Sequence, residues 1–261
     1  MPTLDRIFIH PIKSLDAVEV RHAKILEGGA LEHDREFCMV DGTGKWVNGK
    51  RTAKVHHLRS QFNLPARLVT LSVQGDAPVS FHLDHARSAI AAWLSDYFGF
   101  SVTLHHNAIT GFPDDIASPG PTLISTATLE TAASWFENMT VEGMRSRLRT
   151  NLEIGGVPAF WEDALYTKTS DPLPFQIGEV HLQGINPCLR CVVPTRDSRS
   201  GDPIPQFQKT FAAKRQETLP PWAAANRFRS FYRVAVNTRI APSEAGRSLR
   251  VGDEISVDRL S

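Results

Sequence analysis

The chain is 261 residues long and has only three cysteines, of which Cys38 stands alone. So sparse and odd a set makes no disulfide framework, and the reading is a chain kept in a reducing compartment, cytoplasmic by default. No apolar run approaches the roughly 20 residues that cross a bilayer. The opening Met1-Pro2-Thr3-Leu4-Asp5-Arg6 lacks the charged-then-apolar order of a secretory signal. Both absences argue against a membrane partner. Net charge is nearly missing too: 29 Lys and Arg against 28 Asp and Glu leave +1, so bulk electrostatics make no case for nucleic acid. Of ten histidines only His181 lies beyond residue 106, which leaves a zinc site short of ligands. No nucleophile elbow of the Ser-His-Asp hydrolases occurs, nor any internal repeat or low-complexity tract.

What is present is an ordinary globular composition, 41% hydrophobic and 22% charged, in a chain long enough for one large domain or two small ones. Its charge is unevenly spread. Residues 1–144 carry 12 Lys and Arg against 16 Asp and Glu, or −4; residues 145–261 carry 17 against 12, or +5. A basic C-terminal half suits an anionic ligand.

The first hundred residues read as short strands. Leu4 to His10 alternates until Pro11; Val18 to Val20 and Ala23 to Leu26 follow, with a turn at Gly28-Gly29. Glu36 to Val40 returns through Lys45-Trp46-Val47 across Asp41-Gly42-Thr43-Gly44, and Leu68 to Val73 pairs with Val79 to Leu83 as a second hairpin. That spacing predicts a small barrel or sandwich. A helix is expected from Asp84 to Phe98, closed by Gly99, and another from a Thr128 cap through Asn138. The polar stretch from His105 to Pro121 is the expected domain junction. Further strands are expected leading into Ile154 and over 179–185, 231–236 and 254–258. Residues 200–226, with four prolines, read as a long mobile loop.

One run carries chemistry: Asn186-Pro187-Cys188-Leu189-Arg190-Cys191-Val192-Val193-Pro194-Thr195. A thiol beside a cationic side chain favours its thiolate, the form that binds a soft metal. From the residues alone three readings stay open: a metal ligand, a buried apolar pair, and a redox pair that lacks the usual βαβ setting.

Other pieces fall in order around that run. Pro11-Ile12-Lys13-Ser14 follows the first strand, Asp34-Arg35 precedes another, and Pro121 to Leu129 opens a helix. Arg147-Leu148-Arg149-Thr150-Asn151-Leu152 comes before Phe160-Trp161-Glu162-Asp163, and Leu249 to Asp253 closes the series. Together they resemble the MOSC family, the molybdenum cofactor sulfurase C-terminal domain, preceded by its N-terminal β-barrel domain. The chain is similar in this to the mitochondrial amidoxime-reducing component and its bacterial counterparts. The resemblance implies a β-rich α+β fold, with an N-terminal β-barrel-like domain over 1–115 and a mixed MOSC β-barrel domain with flanking helices over 116–261.

It also implies a molybdenum cofactor (Mo-molybdopterin) in a cleft between the domains, with Cys191 as the molybdenum ligand and Cys188 as a neighbour. Lys13, Ser14 and Arg35 would grip the cofactor phosphate from the N-terminal side, and Arg149 and Asn151 from the MOSC side. Ser125 and Thr126 sit where backbone amides at a helix start would reach it. Arg190 would hold the thiolate or the cofactor, and Asp197 would donate a proton. Plainer roles compete: solvated charges for Lys13 and Arg35, an ion pair from Arg149 to Glu162 or Asp163, a simple cap for Thr128, a surface Arg for Arg190, an Asx-turn for Asp197.

The implied activity is that of an oxidoreductase acting on small-molecule N-hydroxylated substrates. Electrons would come from a separate electron-donor protein, because no cysteine is left for an iron–sulfur cluster. The alternative is a sulfur-carrier or cofactor-maturation module with a persulfide on Cys191. Pro194 and Arg196 depart from the family pattern, as does Phe231-Tyr232-Arg233 in place of a Phe-Gly. The alternation of arginine and aromatic residues from Arg227 to Arg233 reads as a strand rather than a nucleic-acid platform.

Overall fold

Period-two burial becomes a strand wherever a second layer covers one face. In the computed structural model, whose described residues are 1–257, the chain is β-rich with short helices. The N-terminal strands are β1 (Thr3–Ile9), β2 (Val18–Val20), β3 (His22–Lys24), β4 (Phe37–Asp41), β5 (Arg59–Asn63), β6 (Leu68–Ser72), β7 (Val79–His82) and β8 (Val102–His106). Those that follow are β9 (Leu123–Ser125), β10 (Leu152–Gly155), β11 (Leu173–Ile177), β12 (Val180–Leu189), β13 (Arg233–Ile240), β14 (Ser248–Arg250) and β15 (Ile255–Ser256). The helices are α1 (Lys54–His57), α2 (Arg87–Phe98), α3 (Thr126–Ser134), α4 (Val141–Leu148) and α5 (Phe207–Glu217).

Eight strands form the main sheet in the order β15-β11-β12-β13-β9-β10-β1-β2. β1 and β2 therefore complete a sheet otherwise built from residues beyond 122, and β3 likewise pairs with β14. Three cores result. Leu4, Ile7, Ile9, Ile25 and Leu31 pack with Leu152, Phe175, Val180 and Val236. Ile12, Phe37, Val69, Leu71 and Leu94 form a second core inside the barrel-like part. Leu129, Met144, Leu148, Phe207 and Phe211 form a third, under α3, α4 and α5. A cut at residue 115 separates chain segments, not cores, because the first core needs residues from both sides of it.

The β6–β7 hairpin forms in antiparallel register as its pattern predicts. Gly99 closes α2 at φ 79°, a conformation that favours glycine, with its N–H on Ser95 O at 2.9 Å. That helix starts later than Asp84 because the Asp84 carboxylate is engaged by Arg67, at 2.7 and 2.8 Å. The expected return strand at 45–47 is reduced to a bridge between Val40 and Trp46. Helix α3 starts earlier than expected: Ser125 is its cap, accepting from Thr128 N at 3.1 Å, and Thr128 lies inside.

Three helices were not expected, the first of them the single turn of α1. Thr140 caps α4 through Gly143 N at 2.9 Å. The span expected as a mobile loop carries α5, whose Phe207, Phe211 and Arg215 lie on one buried face. The sheet strands also run past their expected ends. β12 continues beyond 185 to carry Cys188, and β13 begins at Arg233 and runs to Ile240. Of the strand expected over 254–258, Ile255–Ser256 is formed and residue 258 lies outside the described residues. Among the described residues no helix is long and apolar enough to cross a membrane.

Candidate functional site

Between the barrel-like part and the β12–β13 pair of the main sheet lies a cavity of about 1280 Å³. Three of its lining residues, Ser14 (φ 80°), Arg35 (φ 51°) and Arg149 (φ 54°), hold left-handed backbone conformations that are costly without glycine. Arg149 reaches that conformation as the C-cap of α4. Ser14 and Arg35 lie in the turns that follow β1 and precede β4. Strain gathered at one concavity marks a place where side-chain direction outweighs backbone comfort.

The N-terminal wall is a network of paired charges. Lys13 is buried; its Nζ donates to the Phe112 and Pro113 carbonyls at 3.0 and 3.2 Å and pairs with Asp114 at 3.0 Å. It also sits 3.7 Å from the centre of the Trp46 ring. Burial lowers its pKa, with Asp114 opposing. Arg35 pairs with Asp34, and Asp34 Oδ1 accepts from His10 N at 2.9 Å. Burial works against the Asp34 charge, but Arg35 and His10 prevail and hold its carboxyl at about 2. Burial pushes His10 down to about 4, with Arg149 adding repulsion, so its ring is neutral near pH 7.

Arg149 contacts Leu15 O at 2.6 Å through Nη2. Burial lowers it to about 10, and repulsion from Arg35 adds to the fall. It pairs with neither Glu162 nor Asp163, the partners considered from sequence. Glu162 instead accepts from Thr128 Oγ1 at 3.1 Å, and Asp163 pairs with buried Arg215. Asn151 is buried at the seam of β10 and β1: Nδ2 donates to Phe8 O at 3.0 Å, and Oδ1 lies 3.4 Å from Arg35 Nη1. It ties the main sheet to the arginine while still lining the cavity.

The opposite wall carries the cysteines. Cys188 lies near the end of β12 and Cys191 just beyond it, exposed; both line the cavity. Arg190 Nη1 donates to the sulfur of Cys188 at 3.2 Å and Nη2 to Leu148 O. The arginine between the cysteines thus positions Cys188 and leaves the Cys191 thiol free of that contact.

Three expected site residues lie elsewhere. Ser125 is buried in its capping role, and Thr126 Oγ1 donates to Glu153 at 2.9 Å; neither lines the cavity. The expected phosphate contact from these two residues is therefore corrected, because neither reaches the wall where Lys13, Arg35 and Arg149 meet. Asp197 is held in an Asx-type turn: Oδ1 accepts from Arg199 N and Ser200 N, both at 2.9 Å, and Oδ2 from buried Arg147 at 2.9 Å. The Ser200 and Arg199 amides, with the Arg147 charge, lower its pKa against the pull of desolvation. Its oxygens are thereby committed to the turn and to Arg147, and Asp197 does not line the cavity.

Sequence reasoning missed several lining residues. Ser118 is buried and lines the cavity, and Asp114 belongs to the N-terminal network. Arg227, Arg229 and Arg233 also line it. The stretch read as a strand from 227 is a loop up to β13, with Phe228 and Tyr232 buried and the arginines on the cavity side. The excess of basic residues after 145 was the available signal.

Two family models match successive parts of the chain. Residues 1–95 match the model of the MOSC N-terminal beta barrel domain and residues 122–256 that of the MOSC domain. Molybdenum cofactor sulfurase 1 of Aedes aegypti is 37% identical over 83 residues, 32% of this chain and 11% of that protein. Molybdenum cofactor sulfurase 3 of the same mosquito is 38% identical over 71 residues, 27% of this chain and 9% of that protein. The chain thus spans a small part of the relatives it matches. The solved structure of the YUAD protein from Bacillus subtilis aligns over 98% of this chain and 94% of its own at TM-score 0.40 and 11% identity.

Proposed function

The chain belongs to the MOSC family, in the form that carries the N-terminal β-barrel domain, and from that premise we propose that it holds a molybdenum cofactor and reduces small N-hydroxylated compounds. The observation that carries this reading is the exposed thiol of Cys191 on a cavity lined by 13 Lys and Arg against five Asp and Glu. A soft thiolate fits molybdenum, and the surplus of cations fits a phosphate-bearing cofactor. The volume of about 1280 Å³ leaves room for cofactor and substrate together.

Cys191 would ligate the metal. Lys13, Arg35 and Arg149 would take the cofactor phosphate, with Ser14 beside them and Asn151 steadying Arg35. Bound molybdenum supplies two-electron chemistry: an N–OH group takes two electrons and two protons and leaves as N–H plus water. The electrons come from a separate donor protein. Asp197 is not assigned to proton delivery; solvent at the open mouth supplies the protons.

A second reading, a sulfur carrier with a persulfide on Cys191, draws on the printed names of the mosquito relatives. The two make opposite predictions for one preparation. Protein from a molybdate-supplemented host should contain close to one molybdenum per chain, lost in Cys191→Ala. Metal-free protein carrying one extra sulfur on Cys191 would overturn the reductase reading and leave the carrier.

A further inference from the structure

The cations of the cavity fall into two populations. Lys13, Arg35, Arg59 and Arg147 each lie within salt-bridge distance of a carboxylate. The other nine, among the described residues, have no such partner. Within that second group Arg227, Arg229 and Arg233 form a local cluster. Arg227 Nη2 donates to Ile185 O at 3.0 Å and Arg233 Nη1 to Pro187 O at 2.8 Å, carbonyls two positions apart on β12, so the two guanidinium groups are anchored roughly 7 Å apart. Exposed Arg229 donates no hydrogen bond among the described residues. Burial lowers the pKa of Arg233, and both Arg227 and Arg229 add repulsion. Its Nε is buried without a partner. Asn186 and Asn237, joined at 3.1 Å, line the same wall.

Arg233 and Arg227 are tied to backbone carbonyls, Arg227 also to those of Thr167 and Thr169, and Arg229 to nothing among the described residues; three like charges with no carboxylate between them raise the free energy of the unliganded protein. An anion bridging them would relieve that repulsion and supply the acceptor that Arg229 lacks. This cluster is distinct from the Lys13–Arg35–Arg149 group, which reaches the cavity from the turns around β1 and β4 and the end of α4. The cluster lies beside the cysteines, with Cys188 on the same stretch of β12 and acting on Arg233.

We propose that Arg227, Arg229 and Arg233 form a second anion subsite, which takes a phosphate or carboxylate group while the first group holds the cofactor phosphate. Resting on the reductase reading, the occupant is the anionic tail of the substrate, which makes this an enzyme for charged N-hydroxylated compounds such as N-hydroxylated nucleotides or acids. A diphosphate in an extended, nucleotide-bearing cofactor would present the same chemistry to the same arginines.

Equilibrium titration of inorganic pyrophosphate tests the subsite without relying on turnover. Four samples are needed: cofactor-loaded wild type, cofactor-free wild type, Arg229→Glu and Lys209→Glu, all at one low ionic strength. Exposed Lys209 on α5 does not line the cavity, so its variant changes net charge equally. The expected result is binding to loaded wild type and Lys209→Glu, with affinity at least tenfold weaker in Arg229→Glu. Arg229 is exposed, so its variant should melt with the wild type. Binding confined to cofactor-free protein, with the extracted cofactor weighing as a nucleotide form, would assign the subsite to the cofactor tail. Equal binding in all samples, equal loss in both charge variants, or no binding to either form would overturn the proposal. Molybdenum measured on the same samples keeps the outcomes separable: a metal-free protein whose Arg229 still governs pyrophosphate binding retains the subsite and loses the reductase reading.

Discussion

The two walls of the cavity solve the same electrostatic problem in opposite ways. On the N-terminal wall three of the four lining cations have a carboxylate: Lys13 has Asp114, Arg35 has Asp34 and Arg59 has Asp16, while Lys50 has none among the described residues. On the cysteine wall Arg190, Arg227 and Arg233 lean on backbone carbonyls, and Arg229 donates to nothing among the described residues. A paired wall is finished before any ligand arrives and is bound tightly into the fold. An unpaired wall carries net charge into the cavity and is completed by what binds. The difference separates residues whose loss should damage the protein from residues whose loss should damage only its chemistry.

Cys191 is the sharpest case of the second kind. Its side chain is exposed, so Cys191→Ala should leave thermal unfolding within about 0.5 kcal/mol of the wild type. Metal content and N-hydroxy reduction should fall to background in the same protein. A variant that kept its molybdenum would break the contrast, since the ligand would then lie elsewhere in the cavity.

Asp34 is the sharpest case of the first kind. Asp34→Asn leaves Arg35 with only Asp114, at 3.8 Å, and should cost on the order of 3 kcal/mol in urea unfolding. The sign of its pH dependence follows from its lowered pKa. The folded carboxyl titrates at about 2 and the unfolded one near 3.8, so its contribution is fully present above the unfolded value and fades as pH falls through the folded one. A substitution with no effect on stability at pH 7 would mean that the wall is not pre-paired.

Glu162 inverts the pattern: it is an acid buried with no cation on it. Burial raises it to about 7, with the neighbouring Asp163 charge adding to the rise, and Oε1 has no hydrogen-bond partner. The folded state therefore holds its proton more tightly than the unfolded chain. Stability contributed by the protonated form is present below the unfolded value of 4.5 and is lost as pH rises through about 7. Glu162→Gln should remove that slope and stabilise the protein at pH 8 by roughly 1–3 kcal/mol. Paired unfolding curves at pH 5 and pH 8 check it, and equal shifts at both would show that the carboxyl does not titrate in that range.

The same contrast explains what the sequence made legible. Residues in regular alternation were readable, as in the β6–β7 hairpin, and so was a helix stopped by Gly99, because pattern and stop signal are local. Helix α5 was not, although Phe207, Phe211 and Arg215 recur at helical spacing. Prolines at 203, 205, 220 and 221 flank it, and they end a helix as readily as they mark a loop. The joining of β1 and β2 to the C-terminal sheet is a long-range pairing that no local pattern encodes. Among the residues that line the cavity, Lys13, Arg35, Arg149 and Cys191 had been singled out through their motifs. Arg227 and Arg229 were hidden by an apparent strand alternation, which the buried Phe228 and Tyr232 produce in a loop.

Asp197 gives the smallest expected effect and the finest test of the division between walls. It stands six positions beyond Cys191 in sequence, yet its oxygens are spent on the Arg199 and Ser200 amides and on Arg147. As a turn lock it should tolerate Asp197→Asn, whose amide oxygen can still accept from the backbone. The half-exposed pairing with Arg147 is worth at most about 1 kcal/mol. Reduction rates in the cofactor-loaded variant should stay within about threefold of the wild type, below the 10²–10⁴ that a lost general acid costs. The pH profile should also keep its shape, because a carboxyl already held ionised contributes no limb near neutrality. A hundredfold loss with metal content intact would return the proton to Asp197 and make the turn a device for holding a catalytic acid beside the cysteine.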